Sequence, residues 1–116
     1  MLKKIALASL IIVLPTLALG EADGPDAWRV TGVQSWDTLS VRMGPGTKYI
    51  KIDELSPNAR HLSNLTCVPY LNAGIWERLT DRQRNKLPQR WCMVFDPATG
   101  IKGWVSGKYL AEDRLD

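Results

Sequence analysis

From Ala27 onward the chain is cut into short runs in which apolar and polar residues alternate, each ended by glycine, proline or another turn former. Alternation with a period of two puts one face of a strand inward and the other in water, and runs this short exclude long helices. Trp28-Arg-Val-Thr31, Thr38-Leu-Ser-Val-Arg42, Tyr49-Ile-Lys-Ile-Asp53, Arg60 to Cys67, Arg90 to Phe95 and Ile101 to Val105 read as strands. Met43-Gly-Pro-Gly-Thr47, Ser56-Pro-Asn58 and Asp96-Pro-Ala-Thr-Gly100 read as the turns between them, with Gly44 and Gly46 supplying backbone freedom and Pro45 rigidity. The pattern predicts a small all-β domain of about five to seven short strands. Val41, Ile50, Ile52, Val94 and Val105 face inward, and Gly103 admits a close backbone approach. Gly107 to Leu110 is expected to turn and drop Leu110 onto the core. The domain then spans 27–111, and the polar tail 112–116, with Ala111 before it, is expected to fray.

One segment breaks the rhythm. Residues 72–89 are poor in β-branched side chains and rich in Arg, Gln, Leu and Glu, which favour helix. Thr80-Asp-Arg-Gln83 has the spacing of a capping box, Pro88 is placed to stop the helix it starts, and Ile75, Trp76 and Leu79 suit one preceding helical turn. A helical insertion inside the β domain is the reading.

The first twenty residues bear on the compartment. Lys3 and Lys4 precede an apolar run from Ile5, and small residues follow Pro15, with Ala18 and Gly20 at −3 and −1 of a cut before Glu21. This is the layout of a signal peptide over 1–20, too short in its apolar part to span a bilayer. Residues 21–26 form an acidic, Gly/Pro-bearing lead-in. Taking 20 residues from 116 leaves 96, enough for one small domain. The leader also carries away two of the 15 basic residues, so 13 face 12 acidic ones, a balance that argues against nucleic-acid binding. In an oxidising compartment, periplasmic or secreted, the chain's two cysteines, Cys67 and Cys92, read as one disulfide pinning both roots of the insertion. Two cysteines and the single His61 lack metal-ligand spacing, and no cofactor is implied.

The motifs carry a resemblance. Leu39-Ser-Val-Arg42 with Met43-Gly-Pro-Gly-Thr47 resembles the first block of bacterial SH3-like (SH3b) domains. Trp91-Cys-Met-Val94, Gly103-Trp-Val105 and Tyr109-Leu110 resemble the second, in order and at compatible spacing. Paired cysteines like these resemble a variant of exported Gram-negative proteins. The resemblance spans Trp28 to Leu110 and implies a small SH3-like β-barrel; the long insertion departs from the shortest members.

Function is expected to be binding and not catalysis. No Ser/His/Asp or Cys/His set can be assembled, since both cysteines are used in the bridge. The pairs Asp53-Glu54 and Glu112-Asp113 read as solvated carboxylates. Five Trp and three Tyr are a heavy aromatic load for a small core. SH3-like barrels use such side chains to line a groove for extended peptides. The resemblance implies cell-wall peptidoglycan peptide as ligand, with Trp36, Arg42, Tyr49, Trp91, Trp104 and Tyr109 as candidates. Most of these residues serve equally well as core caps, and Arg42 as a structural ion pair. The alternative partner is an envelope or host protein bound by the basic insertion through Trp76, Arg82, Arg84 and Lys86. An ordinary solvated helix explains the same charges.

Overall fold

The computed structural model describes residues 25–114. The expected signal peptide and most of the lead-in lie outside the described residues. Seven antiparallel strands form one unclosed sheet: β1 (Ala27–Val30), β2 (Leu39–Arg42), β3 (Lys51–Leu55), β4 (Leu62–Val68), β5 (Trp91–Phe95), β6 (Lys102–Ser106) and β7 (Leu110–Glu112). Their order across the sheet is β3-β2-β6-β5-β4-β1-β7. Two short helices, α1 (Ala73–Arg78) and α2 (Asp81–Asn85), interrupt the β4–β5 hairpin, and a 3-10 turn (Gly107–Tyr109) joins β6 to β7. The domain is all-β apart from this insertion.

Residues paired across an antiparallel ladder share a face, so register decides what is buried. Cys92 opposes Val105 and Cys67, Val94 opposes Gly103, and Leu39 opposes Leu55. These meet in one core with Val30, Val41 and Leu62. Each fully buried Val or Leu contributes about 1.5–3 kcal/mol of transfer free energy. Gly103 is required here. A Cβ on it would lie 2.5 Å from Val41 Cγ1 and 3.0 Å from the Arg42 carbonyl oxygen. The opposite face carries Arg42, Trp104, Met93 and Thr66 in one row, and Ser106, Trp91 and Val68 in the next.

Cys67 and Cys92 are disulfide-bonded, at directly opposed positions of β4 and β5. The capping box is present: Gln83 N–H donates to Thr80 Oγ1 (3.1 Å) and Thr80 N–H donates to Gln83 Oε1 (2.9 Å). Asn72 caps α1 in the same manner, accepting from Ile75 N–H at 2.9 Å. Leu79 is extended, so the insertion is two helical turns at an elbow.

Four expectations are corrected. Ile50 and Ile52 do not face the core; they are 64% and 44% exposed, and Leu55 takes the buried place. Register is the cause: Leu39 opposes Leu55 and Val41 opposes Asp53, and a bulge leaves Ile52 as an extra residue on an edge strand, its end beside Gly103 at the rim of the core. The stretch expected to fray contributes β7, with Ala111 opposite Arg29 and Glu112 opposite Trp28. The next residue, Asp113, is buried and paired, not solvated. Its polarity hid it from a pattern argument, because its partners lie in the β3–β4 connection. Gly44 does not adopt a positive φ, which occurs at Gly32 and Gly100 among the described glycines. Its missing side chain instead makes room for the Tyr49 ring, which would sit 2.4 Å from a Cβ. At the other end, Pro25 and Asp26 are held by Asn64, whose side-chain amide and backbone N–H donate to their carbonyls at 2.9 Å each.

Candidate functional site

Trp91 opens β5 on the row shared with Ser106, and only 9% of it is exposed. Two hollows meet over it, sharing Trp91, Gln89 and Thr47. The larger, about 440 Å³, is bounded by the loop after β1, by Ser40 and Arg42 of β2, and by Lys108 and Tyr109 of the 3-10 turn. The smaller, about 380 Å³, runs along Pro45 to Tyr49, the glycine-proline turn after β2. Together they make a groove with an aromatic floor, Tyr109 and Tyr49 toward its two ends, and both signs of charge: Asp37 against Arg42 and Lys108.

The walls are fixed by local chemistry. Arg42 Nη1 donates to the Tyr49 carbonyl oxygen at 3.0 Å, tying β2 to the end of the turn. The Met43 N–H donates to the Ile50 carbonyl oxygen at 3.0 Å, closing the same loop. Gln89 Nε2 donates to Ser106 Oγ, and that hydroxyl also accepts from Lys108 N–H at 3.3 Å, so Ser106 links the floor to the 3-10 turn. Lys108 Nζ lies 5.7 Å from the Tyr109 ring centre, within cation–π range.

Four of the six expected ligand residues are gathered here: Trp91, Arg42, Tyr109 and Tyr49. Trp36 lines neither hollow and is 81% exposed, although its neighbours Asp37 and Thr38 do line the larger one. Trp104 also lines neither; it stands half-buried between Arg42 and Met93 on the outer face of the sheet. Gln89, Ser106, Lys108 and Asp37 belong to the groove and were not expected. No periodicity marks them, because the sheet order, not the chain, brings them together.

In the insertion, Arg84 is a brace and not a free cation. Its guanidinium lies 4.9 Å from the Trp76 ring centre, Nη2 and Nε donate to the Trp76 carbonyl oxygen at 2.8 and 3.2 Å, and Nη1 meets Asp81 at 3.3 Å. Arg82 and Lys86 are exposed and make no ion pair among the described residues.

A separate polar cluster anchors the strand β7 end. Asp113 accepts from Arg60 Nη2 and, at 2.7 Å, from the His61 backbone N–H. The Arg60 hydrogen bond is the largest cause holding the Asp113 carboxyl below its ordinary value, and the same contact raises Arg60. His61 has φ of 59°, and Asp113 pins that left-handed turn. Glu54, exposed beside Lys51, is likewise lowered, chiefly by that lysine's hydrogen bond. No group of three His, Cys, Asp or Glu able to hold a metal occurs among the described residues, and no described helix is long and apolar enough to cross a membrane.

No protein-family model matches the chain, and no curated protein or solved structure matches it.

Proposed function

We propose that this chain is an exported, noncovalent binding module of the bacterial cell envelope, an SH3-like barrel whose Trp91 groove takes a short extended peptide of the cell wall. The observation that carries the reading is the meeting of two hollows over one nearly buried indole, with Arg42, Tyr49 and Tyr109 on their walls. An aromatic floor with amide and hydroxyl groups beside it suits a peptide backbone, and flanking charges of both signs suit one carrying carboxylate and ammonium groups. The barrel reading is supported by the shared core. Val30, next to one end of the sheet, and Leu55, on the strand at the other, pack in the same cluster. Export is supported by the disulfide and by the leader-like N-terminus. Co-sedimentation of the oxidised protein with purified peptidoglycan sacculi tests the reading. Retention that survives high salt and is lost in Trp91→Ala supports it.

The insertion supports a second reading, recognition of an envelope or host protein, because Trp76 is exposed beside the unpaired Arg82 and Lys86. Charge reversal at Arg82 and Lys86 should then abolish partner capture while leaving sacculus binding unchanged. Arg84 is unsuitable for that test, since reversing it would remove the brace between α1 and α2.

A further inference from the structure

Trp91, Gln89 and Thr47 are common to the two hollows, so a chain running from one hollow into the other passes over them. No charged side chain is shared: Asp37, Arg42 and Lys108 line only the larger hollow, and Lys48 only the smaller. What the junction offers beside its indole is therefore neutral, a primary amide and a hydroxyl.

Gln89 is held where that amide can be used. It is exposed, and a surface glutamine ordinarily samples many rotamers, whose loss opposes binding. Here Nε2 donates to Ser106 Oγ, on a residue only 7% exposed, and the Lys108 N–H donates to the same oxygen. The main chain beside Gln89 is anchored too: the Gly107 N–H donates to the Arg90 carbonyl oxygen at 2.8 Å. A Cβ at Gly107 would come within 2.9 Å of that oxygen, so the close approach depends on glycine. Ser106 takes one N–H of the Gln89 amide. The other N–H and Oε1 have no hydrogen-bond partner among the described residues. One donor and one acceptor on a single planar group are thus left for a ligand.

In an extended chain the N–H and C=O of one residue point to the same side, and residues of a hydrogen-bonded antiparallel pair exchange both bonds. A side-chain amide carries the same donor and acceptor. We propose that Gln89 is the specificity-determining residue of the groove, reading the N–H and C=O of one ligand residue as a neighbouring strand would, with Ser106 as its positioning residue. Gln89 has this role only if the Trp91 groove is the peptide site, and what it reads there is the main chain of an extended peptide, whatever the side chains. Hydrogen bonds between neutral amides are not screened as ion pairs are, which is why retention on the wall is expected to survive high salt.

The test is an NMR titration of the oxidised protein that follows the Trp91 indole N–H with two probes. One is N-acetyl-trialanine N-methylamide; the other is its depsipeptide counterpart, in which every alanyl N–H is replaced by an ester oxygen. The replacement removes donors and keeps the chain length and the methyl groups. Wild type is expected to bind the amide about tenfold more tightly than the ester. Gln89→Leu, close in size and at an exposed position, should weaken amide binding by that factor and bring the two probes within about twofold of each other. Ser106→Ala should narrow the preference while leaving ester binding unchanged, and an undiminished preference there would remove Ser106 from its role. Equal binding of the two probes by wild type overturns the proposal, and that comparison needs no variant to fold. A preference that persists in Gln89→Leu overturns it as well. If sacculi are retained through Trp91 and neither probe moves the indole, Gln89 loses its role while the groove stands; without sacculus retention both fall.

Discussion

Reducing the Cys67–Cys92 bridge should be the most damaging covalent change short of cutting the chain. The bridge closes a loop with a sequence separation of 25, nearly all of it insertion and therefore held by few core contacts. The chain-entropy model assigns such a loop about 3.5 kcal/mol. A domain of this size has a total stability of only about 5–13 kcal/mol, and each kcal/mol moves Tm by roughly 4–8 °C. Reduction should thus lower Tm by about 15–25 °C. The assay is thermal unfolding followed by circular dichroism, oxidised against fully reduced. Reduction leaves both sulfurs in the core, where Cys92 is almost wholly buried, so no cavity contributes. Cys67→Ala/Cys92→Ala should therefore cost about 1 kcal/mol more than reduction alone. Replacing the insertion by a short turn shrinks the closed loop to about seven residues and should reduce the bridge's contribution by about 1 kcal/mol. A Tm change on reduction below about 5 °C would refute the argument. It would mean that the β4–β5 ladder, not the crosslink, restrains the unfolded chain.

Gly103→Ala should destabilise by about 1–3 kcal/mol in denaturant unfolding, because its Cβ collides with Val41 and the Arg42 carbonyl; a neutral result would mean that β2 and β6 are further apart. Asp113 has a lowered pKa, so its contribution is complete above the ordinary carboxylate value near 3.8 and lost as pH falls through the lower folded value. A urea-unfolding series across pH 2–6 should show that acid limb below about pH 4, and Asp113→Asn should flatten it while lowering stability at pH 6. His61→Gly removes the left-handed penalty at φ 59° and should change stability between zero and about +1 kcal/mol, where a marked loss would show that the ring itself packs. Trp36→Ala should leave Tm within the error of a surface substitution, about 0.5 kcal/mol, since its side chain is largely in water.

Local signals were readable and distant ones were not. The Thr80–Gln83 capping box, the β5–β6 hairpin over Asp96 to Gly100 and the inward pair Leu39/Val41 each depend on residues close in sequence. The disulfide was legible because two cysteines allow one pairing. Ile50 and Ile52 look like core residues by alternation, and only the β2–β3 register, which sets Leu55 against Leu39, shows why they stay largely exposed on the edge strand. The β7 strand depends on β1, about eighty residues earlier, and the Asp113 anchor on Arg60 and His61, about fifty residues earlier, and no pattern in the tail announces either. The candidate groove divides in the same manner. Trp91, Arg42, Tyr49 and Tyr109 stand out as residue types in motifs, whereas Gln89, Ser106 and Lys108 join them only through the β5–β6 ladder and the 3-10 turn. Trp36 and Trp104 show the limit of reading aromatic content as a surface: one projects into solvent, and the other lies on a neighbouring patch of the sheet.

The central claim is that the Trp91 groove recognises wall peptide. Its most direct test is sacculus co-sedimentation of oxidised wild type beside Trp91→Ala and Trp36→Ala, each checked for folding by thermal melt, at low and high salt. The account predicts that wild type and Trp36→Ala are retained at both salt concentrations, and that folded Trp91→Ala is lost from the pellet. Retention of a folded Trp91→Ala, or retention that disappears with salt for every variant, would contradict it and leave only charge attraction to the wall.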